Sequence, residues 1–226
     1  MGCVCVENKS IKLNQELRYF WSSLKISKLS SVDIYSIFSH KKRPNQEIPL
    51  SKWETIIKNL FSSEDPQYKK FSLDFFYKQI SLFKQLNLEE HFILSLLLIA
   101  KSSQHTITSD VIKMCKLCSI EIKEETYLTI KDLKGILTCL FTCCANQELL
   151  NFVCNVPHNN KEVNDNTNTQ IECFINKLLN ISTINNNESK LNEYVNINEF
   201  LLNNYSLLHN IGEIRQHIII EKDTKR

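Results

Sequence analysis

Only three glycines, Gly2, Gly135 and Gly212, occur in 226 residues. Glycine is the residue that turns a chain at least cost. A chain this poor in it cannot carry the Gly-rich loops that cradle phosphates, whether of the Walker or the dinucleotide kind. It also suits badly an all-β fold built on tight turns. Long helices with few breakers remain, and the length is ample for a buried core. A formal charge of +2 argues neither for nor against nucleic acid, but no basic stripe is interleaved with aromatics, and no nucleic-acid partner is expected. The longest apolar run, Phe92 to Ala100, falls well short of the roughly 20 residues that span a bilayer. Nine cysteines without a secretory signal point to reduced thiols in a cytosolic compartment.

Within this helical frame one phrase recurs. In Tyr194-Val195-Asn196-Ile197-Asn198-Glu199-Phe200-Leu201, an Asn-rich stretch leads in and an apolar-spaced helix, Phe200 to Leu208, leads out. An apolar residue at loop position 8 suits a short β-bridge between two loops, and a Glu at position 12 opens the exiting helix. Val195 and Glu199 take those places. Ile48 with Lys52 repeats the phrase before a helix from Ser51 to Phe61. Phe71 with Phe75 repeats it before a helix through Phe83, and Ile107 with Val111 repeats it after an apolar helix, Leu88 to Ala100. Thr126 to Leu133 is a weaker copy with a poor incoming loop. It reads as an extension that starts a helix through Cys139 and Phe141, continued helically from Asn146 to Cys154.

The flanks add their own signals. Asn14 to Leu24 is amphipathic, with Leu13, Leu17, Phe20, Trp21 and Leu24 on one face. Ser30-Ser31-Val32-Asp33 reads as a helix cap. Pro157 to Thr169 is a polar, low-complexity linker. At the start, Gly2 followed by Cys3 and Cys5 is the usual arrangement for a myristate joined by palmitate, although Val6 replaces the preferred Ser or Thr. Two acyl chains give stable anchoring where one does not. The expected organisation is an acylated segment (1–12), three helix–loop–helix units (13–118), a helical extension (119–154), a flexible Asn-rich linker (155–170), a last unit (171–210) and a tail (211–226).

Repeated helix, polar loop, bridge and helix behind a Met-Gly-Cys start resembles the calcineurin B-like and neuronal calcium sensor branch of the EF-hand superfamily. The long helical joint from Phe75 through Leu98, the Asn204-Tyr205-Ser206-Leu207-Leu208 segment and the N-terminal helix add to that resemblance. The resemblance implies an all-α fold of two lobes, each a pair of EF-hand-like units with a short β-bridge between loops. It also implies a groove for a partner's amphipathic helix, to which part of the Phe75, Phe76, Ile80, Leu82 and Phe83 face would contribute.

The calcium ligands depart from the pattern. Position 6, usually Gly, would be Gln46, Lys69 and His105 in the first three units, and position 12 would be Lys52, Phe75 and Val111. Lys41 and Arg43 at positions 1 and 3 would repel a cation. The last unit keeps Glu199, with Asn192 at position 5 but Lys190 at position 3. Its loop is lengthened, from Asn180 or Ser182, with Asn185 to Asn187 as neutral donors. No cofactor is therefore required, and weak calcium at Glu199 and Asn192 is the single metal expectation.

Cys115 and Cys118 with Cys139, Cys143 and Cys144 have approximate zinc-ribbon spacing, but they lie in apolar helical stretches where cysteine is a small core residue. Cys154 and His158 lack a third group to orient them, so no catalytic residue is assigned. His91, His209 and His217 read as surface or cap residues. The expected function is a non-enzymatic adaptor on the cytoplasmic face of a membrane, gripping a helical peptide of a target protein. Two alternatives stay open: a structural component of a cytoskeletal or ciliary assembly, and a calcium sensor working through the last unit. The oligomeric state is not legible.

Overall fold

A computed structural model describes residues 15–30, 33, 49–88, 91, 92, 94, 95, 120–122, 125–154, 164–179 and 194–204. These residues are mostly helical, with one small antiparallel sheet. Helix α1 covers residues 15–23 and runs into a 3₁₀ turn, Lys25–Lys28. Helices α2 (Leu50–Phe61) and α3 (Pro66–Gln85) follow. Strands β1 (Ile120–Ile122) and β2 (Glu125–Thr129) lead into α4 (Ile130–Cys144) and α5 (Gln147–Cys154). Helix α6 (Asn164–Leu178), strand β3 (Tyr194–Asn196) and helix α7 (Ile197–Asn203) complete the described elements.

The amphipathic reading of the first helix agrees with the structure. Leu17, Phe20, Trp21 and Leu24 are all buried, and α2 buries Trp53, Ile56, Ile57, Leu60 and Phe61 at helical spacing. Ser30 and Asp33 form the expected cap: the Ser30 hydroxyl donates to Asp33 Oδ2 at 2.6 Å, and the Asp33 amide donates back to Ser30 Oγ at 3.2 Å.

The second expected unit is placed differently. Residues 66–70, read as loop, belong to α3, so Phe71 and Phe75 are helix residues and not loop positions 8 and 12. Pro66 does not break the chain here. It sits in the first turn, where a missing N–H costs nothing, behind Asp65, whose carboxylate accepts from Gln67 N at 2.9 Å. A β-bridge does occur nearby, between Leu24 and Ser63, with Lys25 N donating to Ser62 O and Glu64 N to Ser23 O, both at 3.0 Å. It joins the end of α1 to the end of α2.

The continuous joint from Phe75 through Leu98 is interrupted. Helix α3 stops at Gln85, and Asn87 takes φ 52°, a left-handed turn that Asn tolerates better than most residues. Residues 91, 92, 94 and 95 are again helical. The polar linker is also shorter than read, because α6 already begins at Asn164. Ile171 and Ile175 are buried further along that helix, and their packing outweighs the weak helix propensity of Asn and Thr. Ile48, Ile107 and Val111 lie outside the described residues.

One hydrophobic core joins the two halves. Phe71 of α3 stacks on Phe152 of α5 with ring centres 3.8 Å apart, and Phe61 meets Phe92 at 6.3 Å. Helix α4 is the most deeply set element. It buries Ile136, Leu137, Cys139, Leu140, Phe141, Cys143 and Cys144, and a 42° bend at its end leads into α5. No single described helix is long and apolar enough to cross a membrane.

Candidate functional site

The sheet organises the C-terminal half. Strand β2 pairs with β1 on one side and β3 on the other, both antiparallel, in the order β1-β2-β3. Leu128 faces Val195, Tyr127 faces Asn196 and Thr129 faces Tyr194. The eighth-position residue of the last unit therefore meets the Thr126–Leu133 phrase. The sequence suggests an extension there, and the structure makes it the paired strand.

The two strands enter their helices in the same way. Thr129 caps α4: its Oγ1 accepts from Asp132 N at 3.0 Å and donates to Asp132 Oδ2 at 2.6 Å. Asn196 caps α7, its Oδ1 accepting from Glu199 N at 3.3 Å. In both, the bridge residue is followed at once by the cap and three residues later by an acid. Short polar side chains at a helix start satisfy amides that have no partner within the helix. An acid in the first turn is further favoured by the helix dipole. Glu199 is exposed at the mouth of α7, as a cation clamp would need to be. Asn192, the second expected ligand, lies outside the described residues, as do Gly2, Cys3 and Cys5. Among the described residues no group of three or more His, Cys, Asp or Glu could hold a metal ion.

Asp132 has a partner of its own. His91 Nε2 lies 3.1 Å from Asp132 Oδ1, and the imidazole rests against Gly135 in the next turn of α4. The sequence places His91 on the surface or at a cap. In the structure its side chain is only 16% exposed, so that reading is corrected. One signal could have found it: Gly135 is the one glycine within α4, and a glycine inside a helix costs about 1 kcal/mol relative to alanine. An isolated helical glycine asks what approaches it.

A second surface stands on α3. Phe75, Phe76, Ile80 and Phe83 are core, whereas Leu82 is 43% exposed and Leu86, just past the helix, 57%. Tyr77, Lys78, Ser81, Leu82 and Gln85 line a shallow groove there. Lys78 reaches across to Glu148 of α5 at 2.9 Å, and this contact raises the Lys78 pKa above its ordinary value.

The thiols of Cys139, Cys143 and Cys144 in α4 are buried away from solvent. Burial pushes those of Cys139, Cys143 and Cys144 well above the ordinary value, so they stay protonated and unreactive at neutral pH. Cys115, Cys118, Cys154's side chain and His158 lie outside the described residues.

Comparison with protein-family models, curated proteins and solved structures found no match to this chain.

Proposed function

We infer that the chain is a non-enzymatic adaptor of EF-hand-like build, tethered to the cytoplasmic face of a membrane, that grips an amphipathic helix of a target protein. The observation that carries this reading is the shared register of the two helix starts across Leu128 and Val195. If the bridge residues are loop position 8, Thr129 and Asn196 are both position 9, and Asp132 and Glu199 are both position 12. On this reading Leu24 and Ser63 form the bridge of the other pair, with α1 and α2 as its incoming helices.

The same numbering argues against calcium ahead of Leu24, Ser63 and Leu128, which differ from the three units that spacing alone suggests. Positions 1 to 7 should form an open loop of oxygen donors. Before Leu24 they would be residues 17–23, which are helix. Before Ser63 they would be 56–62, of which 56–61 are helix, and before Leu128 they would be 121–127, largely strand. Helix and strand commit their backbone carbonyls to internal hydrogen bonds and cannot wrap an ion. In the last unit positions 1 to 6, residues 188–193, lie outside the described residues, and the exposed Glu199 keeps a weak calcium site as the second reading.

Two experiments test the proposal. Coexpressed with an N-myristoyltransferase, the chain is expected in the membrane fraction, and Gly2→Ala is expected to release it. Membrane association that ignores Gly2→Ala would contradict the tether. Calorimetric titration of the unacylated chain with calcium, in the presence of magnesium, is expected to give no saturable heat up to millimolar. Micromolar binding lost on Glu199→Gln would replace the fixed adaptor with a sensor.

A further inference from the structure

His91 supports an inference that stands on the geometry alone, apart from the EF-hand-like reading. The Asp132 carboxylate is fixed before the imidazole reaches it: Thr129 Oγ1 donates to Oδ2 at 2.6 Å and accepts from the Asp132 amide at 3.0 Å. The free oxygen, Oδ1, then meets His91 Nε2 at 3.1 Å. The ring occupies space that only a glycine leaves. A Cβ built on Gly135 would stand 2.9 Å from His91 Cδ2 and 3.0 Å from Cγ, closer than real Cβ contacts come. His91 Nδ1 is buried with no hydrogen-bond partner among the described residues. Nearby, Cys139 Sγ lies 3.9 Å from Leu88 O, so the same stretch follows α4 for a further turn.

We propose that His91 is a built-in latch, with Asp132 as its catch and Gly135 as its socket, which fixes His91 and Leu88 on α4 by a contact made within the chain. Three features fit together only on this account. A helix-interior glycine is costly, and the ring is what uses the room it leaves. A cap that also bonds its own acid presents Oδ1 in one direction. A proton on Nδ1 would be buried with no acceptor among the described residues, so the geometry places a proton on Nε2, which donates it to Asp132. The orientation of α4, and with it the sheet and α5, is then set without a ligand.

A reversal of sign tests the latch. Gly135→Ala is expected to lower the thermal midpoint of the full chain, because the added methyl displaces the ring. In a His91→Ala background the same change is expected to raise the midpoint, since the clash is gone and alanine's helix preference remains. If Gly135→Ala alone does not fold, the His91→Ala chain and the double variant still give the second comparison. Nitrogen-15 spectra of the wild-type imidazole should show the proton on Nε2, and Asp132→Ala should speed amide exchange at 136–139 about tenfold. Calcium to millimolar should leave the ring resonances in place. A stabilising Gly135→Ala in the wild-type chain, a ring proton on Nδ1, or ring shifts on adding calcium would each overturn the proposal.

Discussion

The two junctions of the molecule solve one problem by different means. At Leu24–Ser63, two helices run almost to the bridge, and serines tie the ends. Ser23 and Ser63 share a 2.7 Å hydrogen bond, and Ser72 Oγ accepts from Ser63 N at 3.2 Å. Outside it Lys28 pairs with Glu64, and Tyr19 donates to Asp65 at 3.0 Å. At Leu128–Val195, a three-stranded sheet precedes two capped helices, each with an acid in its first turn. The first junction is closed by short polar side chains and a ring of aromatics around Phe20 and Phe76. The second keeps its carboxylates, one held by His91 and one open to solvent. Packing closes one bridge, and capped helix starts with acids in their first turns mark the other.

The largest effects should come from the aromatic packing that closes the first junction. Phe76 is fully buried against Phe20, Trp21, Phe61 and Phe75. Phe76→Ala should cost about 3–5 kcal/mol in urea denaturation, because the cavity is walled by rigid rings. Leu128→Ala, at the second bridge, should cost about 2–5 kcal/mol. A Phe76→Ala loss below that of a surface change would undo the contrast, by showing that the first junction is not held by its aromatics.

Alkaline pH should separate the two regions. The α4 thiols have folded-state values raised by burial, so the native state keeps protons that the unfolded chain releases. Their contribution is complete below pH 9.0, the ordinary thiol value, and is lost progressively as pH rises above it. Tyr68 is raised by burial and by Glu16, and Tyr19 by its hydrogen bond to Asp65, so the first junction responds above pH 10.0. Hydrogen exchange followed upward from pH 8 should therefore show protection of α4 declining before that of α1 and α3, once intrinsic exchange rates are divided out. The reverse order would contradict the assignment of buried thiols.

Caps offer a finer comparison. Thr129→Ala removes a cap that serves both an amide and the Asp132 carboxylate, whereas Asn196→Ala removes one that serves an amide. Losses of about 1–2 and about 0.5–1 kcal/mol are expected in that order, read as shifts of denaturation midpoint. Smallest of all, Lys78→Ala should change stability by at most about 1 kcal/mol, since the pair with Glu148 lies at the surface. Added salt should erase even that difference.

Much of the helical layout was legible because apolar spacing reports burial directly. Leu17, Phe20, Trp21 and Leu24 announce α1, and Trp53 through Phe61 announce α2. The registers were harder. Phe71 resembled a bridge residue because an aromatic behind a polar, proline-bearing stretch looks the same whether the stretch is loop or a capped first turn. Only the Asp65 cap ahead of Pro66 distinguishes them. The Thr126–Leu133 phrase lacks a polar incoming loop because its lead-in is a hairpin, and pairing between distant strands leaves no local mark. Glu199 could be placed at a helix start from sequence. That Asp132 stands in the same register, with His91 against it, required the fold.

The pairing of β2 with β3 is the claim on which the rest depends, and backbone NMR tests it most directly. Cross-strand contacts between the Leu128 and Val195 backbones, with Tyr127 near Asn196 and Thr129 near Tyr194, are the expected result. Contacts from Val195 to another strand, with none to Leu128, would contradict the account.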